Sequence, residues 1–367
     1  MKILVADACY FSSDKTFSVF FIRGRNIYYK QRGIDVTVLD FSAEEDSLID
    51  DIPIISLESY KKDYVHHKFD ILICHAPNIR NHYLFLKKFG KRFENVVFFF
   101  HGHEVLRVSK VYPKPYIYIK DSTWYKKMFR DIYDVFKLNM WRSYFKKLVN
   151  KSYFVFVSNW MYTEFLRWVR IDEKLIEPKT KITYNTVGEI FEKESYNSKT
   201  PKEFDFITIR GNLDGSKYCV DIIIDIAKSF PKYKFCIIGK GKFFKFNSIP
   251  ENVTWIDKHL NHREVVSYLD RSSCALMPTR TDAQGLMACE MATYGIPLIT
   301  SDISVCHEIF DDFANVEYID NNNYLMRFKE KHSKLVENTP YNKQDKYFSE
   351  NACEKEVQLF NHIISKN

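Results

Sequence analysis

Paired cysteines are missing from this chain. Cys9, Cys74, Cys219, Cys236, Cys274, Cys289, Cys306 and Cys353 include no C-x-x-C pair, and most lie in apolar runs. That spacing argues against a disulfide frame or a zinc site and predicts buried free thiols in a reducing compartment. Also missing is any apolar run near the roughly 20 residues of a membrane span. The opening stretch MKILVADACYF has neither the length nor the cleavage site of a secretory signal. A cytoplasmic protein is expected. No strong metal-ligand cluster stands out, so neither an obligatory metal nor another cofactor is expected. Gly239-Lys240-Gly241 lacks the spacing and the acid of a dinucleotide fingerprint, so NAD binding is not read from it.

What is present is the composition of a globular protein. A chain of 367 residues is long enough for two domains. Aromatic side chains are abundant, with 31 Phe and 24 Tyr. The net charge of +7 suggests an acidic partner or an anionic surface without identifying it.

Lys2–Ala6 reads as a buried strand, Phe17–Arg32 as a helix ended by Gly33, and Asp35–Asp40 as a second strand. This β-α-β order opens a doubly wound sheet. Ile71–Cys74 and Val96–Phe100 are further strands, the second running into His101-Gly102-His103-Glu104. A histidine at the carboxyl end of a parallel strand lies at the edge where such sheets bind ligands. His101 is the stronger candidate and His103 the weaker. Tyr153–Val157 and Lys181–Asn185 complete this half, and the polar run Glu192–Lys202 has the composition of a linker.

Phe204–Ile209 restarts the pattern. Arg210 follows that strand, and Lys217 precedes a helix at Val220–Phe230. A cation at a strand end and another at a helix start can grip one diphosphate from two sides. Further strands are Lys234–Ile238 and Asn252–Ile256, with a helix at His262–Arg271. The tail from Tyr347 to Ile364 has helical apolar spacing.

The stretch Ser273–Glu308 reads as strand, loop, helix, strand. Asp282 lies in the loop, Glu290 in the helix Leu286–Tyr294, and Gly295 closes that helix. Glu290 lies about one turn past the helix start. The backbone N–H groups of Gln284, Gly285 and Leu286 would point where an anion is favoured.

Asp282-x7-Glu290, followed by Gly295-Ile296-Pro297-Leu298-Ile299 and Glu308, resembles the acid-x7-Glu signature of GT-B glycosyltransferases, most of all the retaining family 4. The signature normally begins with Glu; Asp282 is one methylene shorter. Tyr184-Asn185-Thr186-Val187 with Phe191 resembles the segment that closes the family's first domain, with Thr186 in place of Gly. The first loop, from Cys9 to Lys15, has none of the family's glycines; Ser12, Ser13 and Lys15 are the donors it offers instead.

The resemblance implies an α/β protein of two Rossmann-like doubly wound domains facing across a cleft. The expected boundaries are 1–190 for the acceptor domain, 191–203 for a linker and 204–345 for the nucleotide-sugar domain. Residues 346–367 would form a helix crossing back to the first domain. The resemblance further implies transfer of a sugar from a UDP or GDP donor, with retention, to a lipid-linked or cell-surface glycan precursor. Arg210 and Lys217 would hold the diphosphate, Glu290 the ribose, Leu260 the base, and Asp282 the sugar, with His101 closing the other side. A sugar-nucleotide epimerase or phosphorylase, or an inactive sugar-nucleotide-binding protein, would share these features.

Arg107–Lys151 interleaves Lys126, Lys127, Arg130, Lys137, Arg142, Lys146 and Lys147 with Trp124, Tyr125, Phe129, Tyr133, Phe136, Trp141, Tyr144 and Phe145. A basic aromatic helix of this kind fits an anionic membrane surface at the inner face of the plasma membrane. A solvated helix with its aromatics turned to the core fits as well. Nucleic acid is disfavoured, because no nucleic-acid module accompanies the charge.

Overall fold

The structure is a computed structural model that describes residues 1–10, 20–119 and 124–366. Ser12, Ser13 and Lys15 lie outside the described residues. The chain forms two compact units. The first gathers Met1–Val108, Phe129–Thr186 and Phe348–Asn367; the second gathers Ser109–Met128 and Val187–Tyr347.

The first unit is built on β1 (Lys2–Asp7), β2 (Asp35–Asp40), β3 (Ser47–Ile49), β4 (Ile52–Ile55), β5 (Ile71–His75), β6 (Val96–Phe100), β7 (Ser152–Phe156) and β8 (Thr180–Ile182). They form one sheet in the order β3-β4-β2-β1-β5-β6-β7-β8, parallel except for β3. Strands covered on both faces read as unbroken apolar runs. The Val-Val-Phe-Phe-Phe of β6 is such a run, and all of it is buried. The strand order reverses between β1 and β5, the crevice where open α/β sheets take ligands.

The helix Ser349–Ser365 belongs to this unit and packs on the helix Phe20–Gln31. Fully buried Arg25 and Glu356 hold them together. Arg25 Nε donates to Glu356 Oε1 at 3.0 Å, and its other nitrogens donate to Asn185 Oδ1 and the Tyr184 carbonyl. Glu356 also accepts from the hydroxyls of Thr183 and Tyr29. A buried charge pair is tolerated when its remaining hydrogen-bonding capacity is met in this way.

The second unit has β9 (Phe204–Asn212), β10 (Phe235–Lys240), β11 (Val253–Ile256), β12 (Ser272–Leu276), β13 (Leu298–Ser301) and β14 (Val316–Ile319), in the order β11-β10-β9-β12-β13-β14. All its strand pairings among the described residues are parallel. Its switch point lies between β9 and β12.

The units depart from the expected boundaries, the second taking Val187–Tyr347 where 204–345 was expected. Ser109–Met128 lies inside 1–190 but gathers with the second unit. The expected linker 191–203 is packed: Tyr196 is buried, its N–H reaches the Tyr294 carbonyl at 2.8 Å, and its hydroxyl donates to the Ser272 carbonyl at 2.7 Å. Two buried aromatics, Phe191 and Tyr196, outweigh the polar residues around them. Among the described residues no helix is long and apolar enough to cross a membrane.

The basic aromatic stretch forms the helix Trp124–Leu148. Its two halves differ. Leu138, Trp141 and Phe145 are buried, whereas Phe129, Ile132, Tyr133 and Phe136 are exposed. Lys137 is buried against Asp134 and donates to the His103 and Leu106 carbonyls, so it is not part of a charged outer face.

Candidate functional site

In the second unit the switch point is crossed by a side chain. Arg210 is inside β9, which runs on to Asn212, and its Nη2 donates to the Pro278 carbonyl just after β12, at 2.7 Å. The residue is 7% exposed, and its Nε finds no hydrogen-bond partner among the described residues. A buried guanidinium with a donor left over costs stability unless something accepts from it. Burial lowers its pKa, opposed by Tyr218 and Asp282.

Lys217 stands at the entry to the helix Val220–Ser229. Its carbonyl accepts from the Arg280 N–H at 2.9 Å and the Thr279 hydroxyl at 3.1 Å, which ties the Lys217 loop to the loop carrying Asp282. Burial pulls the Lys217 pKa down, but the Asp282 charge and the nearby tyrosines outweigh it and leave the ammonium pKa raised. No carboxylate lies within ion-pair distance of Lys217 among the described residues.

Asp282 Oδ1 accepts from the Ala283 N–H at 2.8 Å, and Oδ2 lies 3.6 Å from where a Cβ of Gly285 would stand. Gly285 caps the helix Leu286–Tyr294 with φ +74°, a left-handed conformation that favours glycine. No side chain caps this helix, so its N-terminal dipole faces the Asp282 loop uncapped. Gln284 is buried, with Cys289 Sγ at 3.8 Å from its Nε2. Arg210, Lys217, Asp282 and this helix start therefore form one constellation.

Glu290 is 3% exposed. Its Oε1 accepts from the Gly188 N–H at 3.3 Å and lies 3.4 Å from His262 Nε2. Burial raises its pKa to about 8, against the Gly188 bond. Gly188 and His262 were not singled out from sequence; the capping residue Asn261 before His262 is the only local signal there. Leu260, buried, lies in the loop between β11 and that helix.

His101 lies in the first unit, just past β6. Its Nε2 is 3.0 Å from Nδ1 of His75, at the end of β5, and the two rings are stacked. Burial first, and then the Arg25 charge, hold the His101 pKa well below the ordinary imidazole value. Glu104 accepts from the backbone N–H groups of His101 and Gly102. Asp7, at the end of β1, is buried, and desolvation with the nearby Asp40 charge raises it to about 7. His75 and Asp7 were likewise not singled out from sequence.

Two parallel-sheet α/β units with these strand orders are the GT-B fold. The same fold is found in sucrose-phosphate synthase from Thermosynechococcus elongatus, with a TM-score of 0.70 at 10% identity over 100% of both chains. Anabaena Alr3699/HepE, solved in complex with UDP and glucose, gives a TM-score of 0.61 at 12% identity, over 100% of this chain and 99% of that one. Residues 191–355 match the family model described as glycosyl transferases group 1. An uncharacterised 41.2 kDa protein in the cps region of Klebsiella pneumoniae is 30% identical over 154 residues, 39% of this chain and 42% of that protein. The O-antigen biosynthesis glycosyltransferase WclY of Escherichia coli is 28% identical over 149 residues, 37% and 41% of the two. The matches thus span about two fifths of the curated relatives' length.

Proposed function

We propose that this chain is a retaining glycosyltransferase that moves a sugar from a UDP or GDP donor to a glycan or glycolipid acceptor in polysaccharide biosynthesis. The observation that carries the reading is buried Arg210, its Nε unpartnered, placed at the switch point of the second sheet with Lys217 and Asp282. The match of 191–355 to glycosyl transferases group 1 supports it.

In the proposed reaction the bond between the anomeric carbon and the diphosphate oxygen breaks, and its electron pair leaves with the diphosphate. An acceptor hydroxyl oxygen forms the new bond to that carbon and gives up its proton to an oxygen of the departing diphosphate. Arg210 and Lys217 stabilise the charge that develops on the leaving group. The N–H groups of Gln284, Gly285 and Leu286 add to that field. Asp282 holds the sugar, Glu290 the ribose and Leu260 the base, and His101 contacts the sugar. With two cations serving the diphosphate, the proposal includes no obligatory metal.

The enzyme would work on the cytoplasmic side, touching an anionic membrane through Arg107–Lys151. To test the reading, the full chain is screened by thermal shift against UDP- and GDP-sugars. A bound donor raises the melting temperature by mass action. The stabilising donor is then incubated with candidate acceptors, and the anomeric configuration of the product is read by NMR. Transfer with retention supports the proposal; inversion, or no stabilisation by any nucleotide sugar, refutes it.

A further inference from the structure

The segment 109–119 leaves the first unit's part of the sequence and gathers with the second unit. Its core is Tyr112-Pro113-Lys114-Pro115-Tyr116-Ile117-Tyr118. The two prolines fix φ and favour extended backbone at the residues before them. The chain is neither helix nor strand from Tyr112 to Tyr116 and then turns, with the Ile119 N–H on the Tyr116 carbonyl at 3.0 Å. The Tyr116 and Tyr118 rings stack 5.7 Å apart across that turn, while Ile117 between them is fully exposed.

Two of the three tyrosines are anchors. The Tyr116 hydroxyl donates to Asp221 Oδ1 at 2.9 Å, and the Tyr118 hydroxyl donates to Asp214 Oδ1 at 2.8 Å. Asp221 is shared: Arg280, two residues before Asp282, reaches it at 2.6 Å and also donates to the Ser216 carbonyl at 2.5 Å. Asp221 thus joins the strap to Arg280 of the Asp282 loop, and Arg280 in turn holds the Lys217 loop through the Ser216 carbonyl.

The third tyrosine lies at the diphosphate cation. The Lys217 ammonium is 5.1 Å from the centre of the Tyr112 ring and 4.8 Å from that of Tyr218. Gly215 makes room for the second ring, since a Cβ there would stand 2.8 Å from it. Two aromatic faces attract an ammonium without neutralising it. A carboxylate in their place would compete with an incoming phosphate. A long, flexible lysine loses rotamer freedom when fixed, so holding it beforehand lowers the cost of binding.

We propose that the 109–119 strap is part of the nucleotide-sugar site, with Tyr112 as a positioning residue that holds the Lys217 ammonium ready for the diphosphate. This rests on the glycosyltransferase reading above. The test is calorimetric titration of UDP, GDP and ADP into the full chain and its Tyr112→Phe, Tyr112→Leu, Tyr112→Ala, Lys217→Ala and Tyr112→Ala/Lys217→Ala variants. Tyr112→Ala should weaken binding roughly three- to tenfold. Tyr112→Phe keeps the ring and should stay within about twofold of the parent. Tyr112→Leu keeps bulk without a ring, so it should lose as much as alanine and decides the matter if the alanine variant does not fold. Once Lys217 is gone, removing Tyr112 should cost less than about twofold more, because the two act as one. If the parent binds none of the three nucleotides, the donor reading falls and this inference with it. If the parent binds and Tyr112→Leu binds equally well, or the Tyr112→Ala loss is undiminished without Lys217, this inference alone falls.

Discussion

A carboxyl group with a pKa of about 8 carries its proton at neutral pH, and Glu290 is such a group. It then offers one donor and acceptor capacity to a ribose hydroxyl, as a glutamine would. Glu290→Gln should therefore keep most of the nucleotide affinity at pH 7, while Glu290→Ala should lose roughly 1–3 kcal/mol, the range for leaving a buried polar partner unmet. Calorimetric titration decides it; equal losses in both variants would refute a protonated Glu290 as ribose contact. Asp282 should behave differently, since its charge acts on Arg210 and Lys217, the cations proposed to meet the leaving diphosphate. Asp282→Asn is expected to lower turnover; a variant that only raises the donor KM would show uniform binding instead. The β-α-β rhythm alone put Arg210 near the end of a strand, Lys217 and Asp282 in the loops before two helices, and Glu290 one turn inside the second of these. Tyr112 was not legible, since it meets Lys217 across more than a hundred residues of sequence. His262 and His75 were hidden although their partners are nearer in sequence, because only the folded sheet brings His262 to Glu290 and His75 to His101.

Among the elements, the helix Ser349–Ser365 is held by a charge pair that has no exposure to water. Glu356→Ala would leave Arg25 buried with its charge uncompensated, which costs about 3–5 kcal/mol. Chemical denaturation followed by far-UV circular dichroism should show that loss; a change under 1 kcal/mol would mean the guanidinium finds water or another partner. The helix itself was readable from its apolar spacing, but the Arg25–Glu356 pair was not, because no local pattern links residues so far apart. Short elements were also hard to read: the β3–β4 hairpin is built from strands of three and four residues. The helix Trp124–Leu148 was legible as a helix, yet not for which aromatics it buries. Its exposed half carries Phe129 at 63% and Phe136 at 61% exposure beside Lys126, Lys127 and Arg130. Each cation near an anionic leaflet contributes about 1 kcal/mol, fading with salt. Co-sedimentation should show binding to anionic vesicles at low salt and little to neutral ones. Replacing Lys126 and Lys127 with Glu, and Phe129 and Phe136 with Ser, should abolish it. If the parent chain stays in the supernatant with anionic vesicles, the membrane proposal fails.

For the molecule as a whole, acid and alkali should destabilise through different groups. His75, His82, His101, His262 and His332 all have lowered pKa values, with burial the first cause at each, and His82 falls to about 4. In the unfolded chain each would protonate near pH 6.5. The unfolded state then binds more protons below that pH, so stability is lost as the pH falls from there. Asp7 and Glu290 act in the opposite sense, their folded pKa values being raised by burial to about 7 and about 8. Above roughly pH 4 the unfolded carboxyls have lost their protons while the folded ones keep theirs, so stability falls as the pH rises through those values. His307, raised by its bond to Asp302, has the same sign as the two acids, but its partners face solvent and its weight is reduced. Below about pH 6.5 the five histidines outnumber the two acids; above it the acids and His307 remain. Each proton of difference tilts stability by about 1.4 kcal/mol per pH unit. The melting temperature of the full chain should therefore peak near pH 6.5 and decline toward about pH 5 on one side and about pH 8.5 on the other. Glu290→Gln should flatten the alkaline decline and leave the acid one in place. Scanning calorimetry across that range is the measurement. A melting temperature that climbs steadily to pH 8.5 would mean that both buried carboxyls are already ionised in the fold, and the neutral Glu290 invoked for ribose binding would be lost with them.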